Sequence, residues 1–139
     1  MLRVPSLPRE LDLTREKSIR VLIAENHRDL SDVIATIIDS EPDMHCVGQV
    51  SCANEVLSTA RDKGAEVVIL DLMLKGGSGM NLIGDLISEL PGLRVVVFSG
   101  LANDDLARET LHRGAAAFVT KGSDLNVLLN ELRGGASAA

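Results

Sequence analysis

Aromatic side chains are almost missing from this chain: Phe98 and Phe118 are the only two, with no Tyr and no Trp in 139 residues. Single-stranded nucleic-acid recognition by stacking bases on rings is thereby excluded, and the core has to come from Leu, Ile, Val and Ala. Cysteine is also scarce. Cys46 and Cys52 are too few and too unpatterned for a disulfide framework or a zinc site, and they read as ordinary thiols of a reducing compartment. Basic charge is in deficit, with 14 Lys and Arg against 20 Asp and Glu and a net charge of −6. Duplex DNA is held largely through clustered cations, so no direct DNA binding is expected. No apolar run approaches the ~20 residues of a membrane span. The opening Met1-Leu2-Arg3-Val4-Pro5 lacks the hydrophobic region of a signal peptide. A cytoplasmic protein without membrane contact is expected. A glycine-rich nucleotide loop is missing too: Ala24-Glu25-Asn26-His27-Arg28 matches neither G-x-G-x-x-G nor a P-loop.

What is present is a regular alternation. The apolar fraction of 45% and the chain length suit one domain with a single core. Residues 1–17 hold Pro5, Pro8 and mixed charge without apolar periodicity and read as a loose N-terminal arm, while residues 134–139 have the composition of a flexible tail. Between them, over residues 18–133, apolar runs of strand length alternate with segments of helical period. Leu30, Val33, Ile34, Ile37 and Ile38 give one amphipathic helix over about 29–40. Ile83, Leu86, Ile87 and Leu90 give another, stopped by Pro91-Gly92. Leu125, Leu128, Leu129 and Leu132 give a third, with Ser123 or Asp124 as N-cap. Weaker helices are expected over 54–63, ended by Gly64, and about 104–113, ended by Gly114. A less apolar strand near 44–50 reads as a sheet edge. The other strands are apolar throughout, which marks strands covered on both faces. The expected fold is α/β: a three-layer α-β-α sandwich around a five-stranded parallel sheet.

Four of the runs stop at polar residues suited to one site. Arg20-Val21-Leu22-Ile23-Ala24 ends at Glu25, Glu66-Val67-Val68-Ile69-Leu70 at Asp71, Arg94-Val95-Val96-Val97-Phe98 at Ser99, and Ala117-Phe118-Val119-Thr120 at Lys121. In adjacent parallel strands these would bring two carboxylates, a hydroxyl and an ammonium to the edge where open α/β sheets bind ligands.

Three segments carry a resemblance: Val21-Leu22-Ile23-Ala24-Glu25-Asn26-His27, Asp71-Leu72-Met73-Leu74-Lys75-Gly76-Gly77-Ser78-Gly79, and Phe118-Val119-Thr120-Lys121-Gly122-Ser123. In this order and at these strand ends the chain resembles the receiver domain of bacterial two-component response regulators, especially those that precede a helix-turn-helix output domain. The likeness implies the flavodoxin-like (β/α)5 receiver fold. It implies that Asp71 is a phosphoacceptor served by a histidine kinase or a phosphotransfer protein. Lys121 would pair with Asp71 and then with the phosphoryl group, Ser99 would donate to that group, and Phe118 would move with Ser99. It implies Mg²⁺ on Glu25, Asp71, residue 26 and the backbone carbonyl of Met73. The product would be a switch acting on a downstream protein target rather than an enzyme, with the oligomeric state open and a homodimer compatible with it.

Two departures stand out. Receivers typically carry a second acid after the first strand, and Asn26 stands there instead. A carbonyl oxygen remains but a charge is lost, which weakens the site for a hard cation. The alternative expectation is therefore a phosphorylation-independent receiver acting as a protein-binding scaffold. Lys75 occupies a position where the family loop commonly has Pro, either loosening that loop or adding a cation beside the site. Met73 and Leu101, both apolar, stand where the family tunes loss of the phosphoryl group, which implies a long-lived phosphorylated form. His27 follows the acidic pair, but neither His45 nor His112 stands at ligand spacing from it, and it reads as a first-turn helix residue. A flavodoxin-like electron carrier is the third reading, weakened by the missing phosphate loop and the few aromatics. The chain reads as either a single-domain regulator or an excised receiver.

Overall fold

The computed structural model describes residues 18–101 and 103–135. The N-terminal arm and the last four residues of the expected tail lie outside the described residues. Five strands alternate with five helices: β1 (Ile19–Ala24), α1 (Arg28–Ser40), β2 (Met44–Val50), α2 (Ala53–Lys63), β3 (Val67–Leu70), α3 (Gly79–Glu89), β4 (Arg94–Ser99), α4 (Asp104–His112), β5 (Ala117–Thr120) and α5 (Leu125–Leu132). All five strands are parallel, in the order β2-β1-β3-β4-β5. The order reverses between β1 and β3, the switch point beyond which such sheets bind ligands. This is the expected sandwich.

Strand periodicity divides the core in two. Val21 and Ile23 of β1, Val67 and Ile69 of β3, and Val96 and Phe98 of β4 pack with Ile34 and Ile38 of α1 and Leu128 and Leu132 of α5. Their neighbours Leu22, Ala24, Val68, Leu70, Val95 and Val97 face the other way, onto Val56 and Ala60 of α2 and Ile83 and Leu86 of α3. Each large aliphatic chain removed from water in this way contributes about 1.5–3 kcal/mol before chain entropy is counted. Because both faces are covered, the central strands have no polar face, which is why their sequences run apolar without alternation.

The edge strand β2 is only partly buried after Met44. Its pairing with β1 skips a residue: Val21 stands opposite Cys46 but Leu22 opposite Gly48, leaving Val47 as an extra residue. A Cβ on Gly48 would come within 3.2 Å of Leu22 Cδ1, so a small residue suits the position.

Helix ends follow local chemistry. Ser78, Asn103 and Asp124 cap α3, α4 and α5 by accepting backbone N–H bonds. Gly64 closes α2 in the left-handed conformation at φ 64°. Gly134, expected just beyond the end of this helix, closes α5 together with Gly135: their N–H groups donate to the carbonyls of Glu131 and Asn130 at 3.0 and 2.8 Å. The Arg94 guanidinium takes the carbonyls of Leu132 and Glu131, and Arg133 reaches Glu41 and Asp43. The last helix is thus fastened to the sheet by charge as well as by leucines.

Candidate functional site

β1 and β3 deliver Glu25 and Asp71 side by side. The Asp71 N–H donates to the Ala24 carbonyl at 2.9 Å, and the Glu25 N–H to the Val50 carbonyl at 3.0 Å, so both acids still belong to the sheet ladder. Both are buried, with 2% and 4% of their surfaces exposed. β5 ends opposite them, and the Lys121 N–H donates to the Ser99 carbonyl at 2.8 Å, tying the fourth and fifth strand ends together. Lys121 Nζ lies 3.0 Å from Glu25 Oε1 and 3.4 Å from Asp71 Oδ2. The lysine therefore serves both acids and stands nearer to Glu25 than to Asp71. It also sits 5.9 Å from the ring centre of Phe98, within cation–π reach.

The hydrogen bonds around the two acids are unequal. Asp71 accepts from the N–H of Met73 at 3.0 Å and of Asn26 at 3.3 Å, one on each carboxylate oxygen. Glu25 Oε2 accepts from the His27 N–H at 2.9 Å and from Lys121 at 3.3 Å, and lies 3.2 Å from His27 Nδ1. Glu25 Oε1 receives no hydrogen bond, although it is buried. The ammonium at 3.0 Å supplies charge to that oxygen, but its approach does not make a hydrogen bond there. This buried oxygen is compensated by the ion pair with Lys121 alone, and two buried carboxylates on one ammonium leave an excess of negative charge at this strand end.

Gly79 holds the loop after Asp71 against the strand end. Its N–H donates to the Leu72 carbonyl at 2.9 Å. A Cβ at this position would stand 2.2 Å from the Asp71 carbonyl oxygen and 3.0 Å from Leu72 Cα. The final glycine of the segment from Asp71 to Gly79 is thus dictated by the close approach of helix and strand end. Between them the chain makes a short antiparallel ladder, Met73–Leu74 with Gly77–Ser78. Lys75 lies at its turn. The Lys75 N–H donates to the Ser51 carbonyl at 3.0 Å, and its carbonyl accepts from the Ala53 N–H at 2.8 Å. The loop is therefore tied to the start of α2, and it is the lysine's backbone that makes the tie; its side chain is exposed.

Ser99 is 4% exposed, and its hydroxyl oxygen accepts from the Leu101 N–H at 3.1 Å, leaving the hydroxyl proton available. Phe118 is half-buried and packs on the α2/α3/α4 side of the sheet. A cleft of about 390 Å³ opens over this ensemble, lined by His27, Leu30, Asp71, Met73, Ser99, Gly100, Leu101 and Lys121. Met73 and Leu101 are exposed by 68% and 57% and form apolar lips.

His27 was legible only as a helix residue, yet it sits at the N-cap of α1 with its ring against Glu25. The signal available was its spacing two residues beyond a buried acid at a strand end. Phe98, beneath Lys121, gave no signal beyond an apolar residue in a run. His45 stands away from this cluster, on β2 beside Ser18.

Comparison with known proteins adds a family. The profile described as the response regulator receiver domain matches residues 21–133. This chain belongs to that family. The receiver is 27% identical over 115 residues to the response regulator GacA of Pseudomonas aeruginosa, covering 83% of this chain and 54% of that protein. It is 24% identical to the transcriptional regulatory protein LiaR of Bacillus subtilis, with the same coverage. The chain thus spans about half the length of these curated relatives. Among solved structures, the response regulator domain of Thermotoga maritima CheB superposes with a TM-score of 0.76 at 28% identity, over 84% of this chain and 95% of that one. The BeF3-activated receiver domain of Klebsiella pneumoniae RstA superposes with a TM-score of 0.76 at 26% identity, over 82% and 95%. The protein is a receiver domain of the two-component response regulator kind, a module of phosphorylation-based switching. Among the described residues, no helix is long and apolar enough to cross a membrane.

Proposed function

We propose that Asp71 is the phosphoacceptor of this receiver. One observation carries the reading: Asp71 lines an open cleft while its carboxylate is fixed by two backbone N–H groups and has Lys121 Nζ 3.4 Å away. An Asp71 oxygen attacks the phosphorus of a phosphohistidine on a kinase or phosphotransfer partner. The new O–P bond forms as the P–N bond breaks, and the imidazole leaves with its electron pair. Lys121 balances the charge that accumulates on the phosphoryl oxygens. The Ser99 hydroxyl, already accepting from Leu101, has its proton free to donate to the same oxygens, and that reorientation carries the loop after β4 with Phe118 beside it. No step turns the partner over, so the domain is a switch rather than an enzyme; it works in the cytoplasm on a downstream protein.

The donor set fits a divalent cation. Glu25, with its one unbonded buried oxygen, and Asp71 would hold it, with the Asn26 and Met73 carbonyls as neutral oxygen donors. Mg²⁺, the family's usual ion, neutralises charge between carboxylates and phosphoryl oxygens when bound. The missing acid at position 26 lowers its affinity here.

The test is intact mass after incubation with acetyl phosphate and Mg²⁺, with Asp71→Asn and Asn26→Asp beside the parent. One added phosphoryl group on the parent, absent from Asp71→Asn, is expected. No adduct on the parent but one on Asn26→Asp would replace this reading with that of a phosphorylation-independent binding module.

A further inference from the structure

We propose that Glu25, His27 and Asp71 form a mixed nitrogen and oxygen site that selects a borderline divalent transition ion, of the Co²⁺, Ni²⁺ or Zn²⁺ class, over Mg²⁺. The proposal rests on the phosphoacceptor reading of the same site and adds a third side chain and an ion preference.

The three side chains each offer one ligand atom, and these atoms lie within 4.8 Å of one another. Metal bonds to such atoms are about 2.0–2.2 Å long, which puts neighbouring ligand atoms about 3–4 Å apart. The cluster needs only a small closure to wrap an ion. Its anchor is Glu25, 2% exposed, whose Oε1 accepts no hydrogen bond and is met only by the Lys121 ammonium 3.0 Å away.

The His27 ring is not committed elsewhere. His27 occupies the N-cap of α1, where Ser, Thr, Asp or Asn would use its side chain to cap the helix, and its own side chain makes no such bond. The side chain is 73% exposed, so it can turn toward an ion without disturbing the core. Its backbone N–H meanwhile grips Glu25 Oε2 at 2.9 Å, holding the turn in place.

Charge and donor type then set the preference. With Asn26 in place of a second acid, the site has two carboxylates and one ammonium. A hard ion bound mainly by charge loses most from that change. An imidazole nitrogen is a donor without charge, and it favours Co²⁺, Ni²⁺ and Zn²⁺ far more than Mg²⁺. Lys121 competes with any cation for the same carboxylates, so it lowers affinity for all ions, and it is His27 that widens the gap between the transition ions and Mg²⁺.

Titration calorimetry of the whole chain with Co²⁺ and, separately, Mg²⁺ tests this, on the parent, His27→Ala and Asp71→Asn. The expected result is Co²⁺ binding at one site at least about ten-fold tighter than Mg²⁺. His27→Ala should weaken Co²⁺ about ten-fold and leave Mg²⁺ within about two-fold, and Asp71→Asn should remove both. An unchanged ratio of Co²⁺ to Mg²⁺ affinity in His27→Ala overturns the proposal, as does Co²⁺ binding that survives Asp71→Asn. Acetyl phosphate labelling of the parent separates the two readings. Labelling with an unchanged ion ratio rejects the His27 site alone, and a His27-dependent Co²⁺ site without labelling rejects the phosphoacceptor reading alone.

Discussion

The two ends of the sheet treat charge in opposite ways. At the end where the strands start, Arg133 meets Glu41 and Asp43, whose side chains are 29% and 46% exposed. Arg94 takes the last carbonyls of α5, and Arg20 donates to the Gly64 carbonyl beyond α2. Each guanidinium there finds acceptors, and water screens the rest. At the end where the strands finish, Glu25 and Asp71 have side chains only 1% and 6% exposed and share a single ammonium. The first arrangement fastens helices to the sheet. The second leaves two buried carboxylates on one ammonium, an excess of negative charge that a bound cation would offset. Desolvation makes the difference: the same ion pair is weak in water and consequential under the surface.

The contrast breaks most severely at Gly79. Gly79→Ala drives a methyl into the Asp71 carbonyl oxygen, 2.2 Å away, and should cost about 2–3 kcal/mol in urea unfolding. It should also displace Asp71 and abolish acetyl phosphate labelling. Stability within about 0.5 kcal/mol of the parent would show that α3 slides away freely.

Asn26→Asp sharpens the comparison. A third carboxylate beside two buried ones should destabilise the metal-free protein by about 1–2 kcal/mol, the raw repulsion of ~4 kcal/mol for unit charges about 4 Å apart at an effective dielectric near 20 being screened by solvent at this half-buried position. Millimolar Mg²⁺ should reverse the sign. A loss of stability that Mg²⁺ does not repair would mean that the added acid points away from the pair.

Arg133→Ala at the opposite end should cost less, about 1 kcal/mol or under near neutral pH, since its partners are partly solvated. The Arg133 guanidinium, by hydrogen bond and charge, holds the Asp43 carboxyl below its ordinary value of 3.8. A depressed carboxyl pKa means that the unfolded chain binds protons first as pH falls. The contribution is therefore present above about pH 4 and fades as pH drops through the folded-state value. Urea midpoints of parent and variant should converge in that acid window, and a gap that persists there would assign the contact to packing.

The sheet was legible because burial on both faces leaves an unmistakable mark, four apolar runs each ending at a polar residue. The edge position of β2 showed in its weaker apolarity. The short ladder after Asp71 was not legible, because two residue pairs carry no periodicity. Asp71, Ser99 and Glu25 were placed where their strand ends implied. What the sequence could not show was partition: that Lys121 leans to Glu25, that Glu25 keeps one oxygen unbonded, and that His27 folds back over it. Those depend on where a two-residue turn aims its N–H groups, which no spacing records. For Lys75 the sequence offers a loosened loop or an added cation, whereas its N–H and C=O tie the loop to Ser51 and Ala53.

The extra residue at Val47 has a consequence for how copies of this protein behave together. A straight, exposed edge offers a row of unpaired N–H and C=O groups on which another chain's strand can assemble. The skipped residue puts that row out of step halfway along β2, next to a glycine with no side chain to grip, and the opposite edge, β5, is only four residues long. A visiting strand would find matched partners for barely half its length on either side. The irregularity that loosens one pairing inside the molecule thus works against strand pairing between molecules.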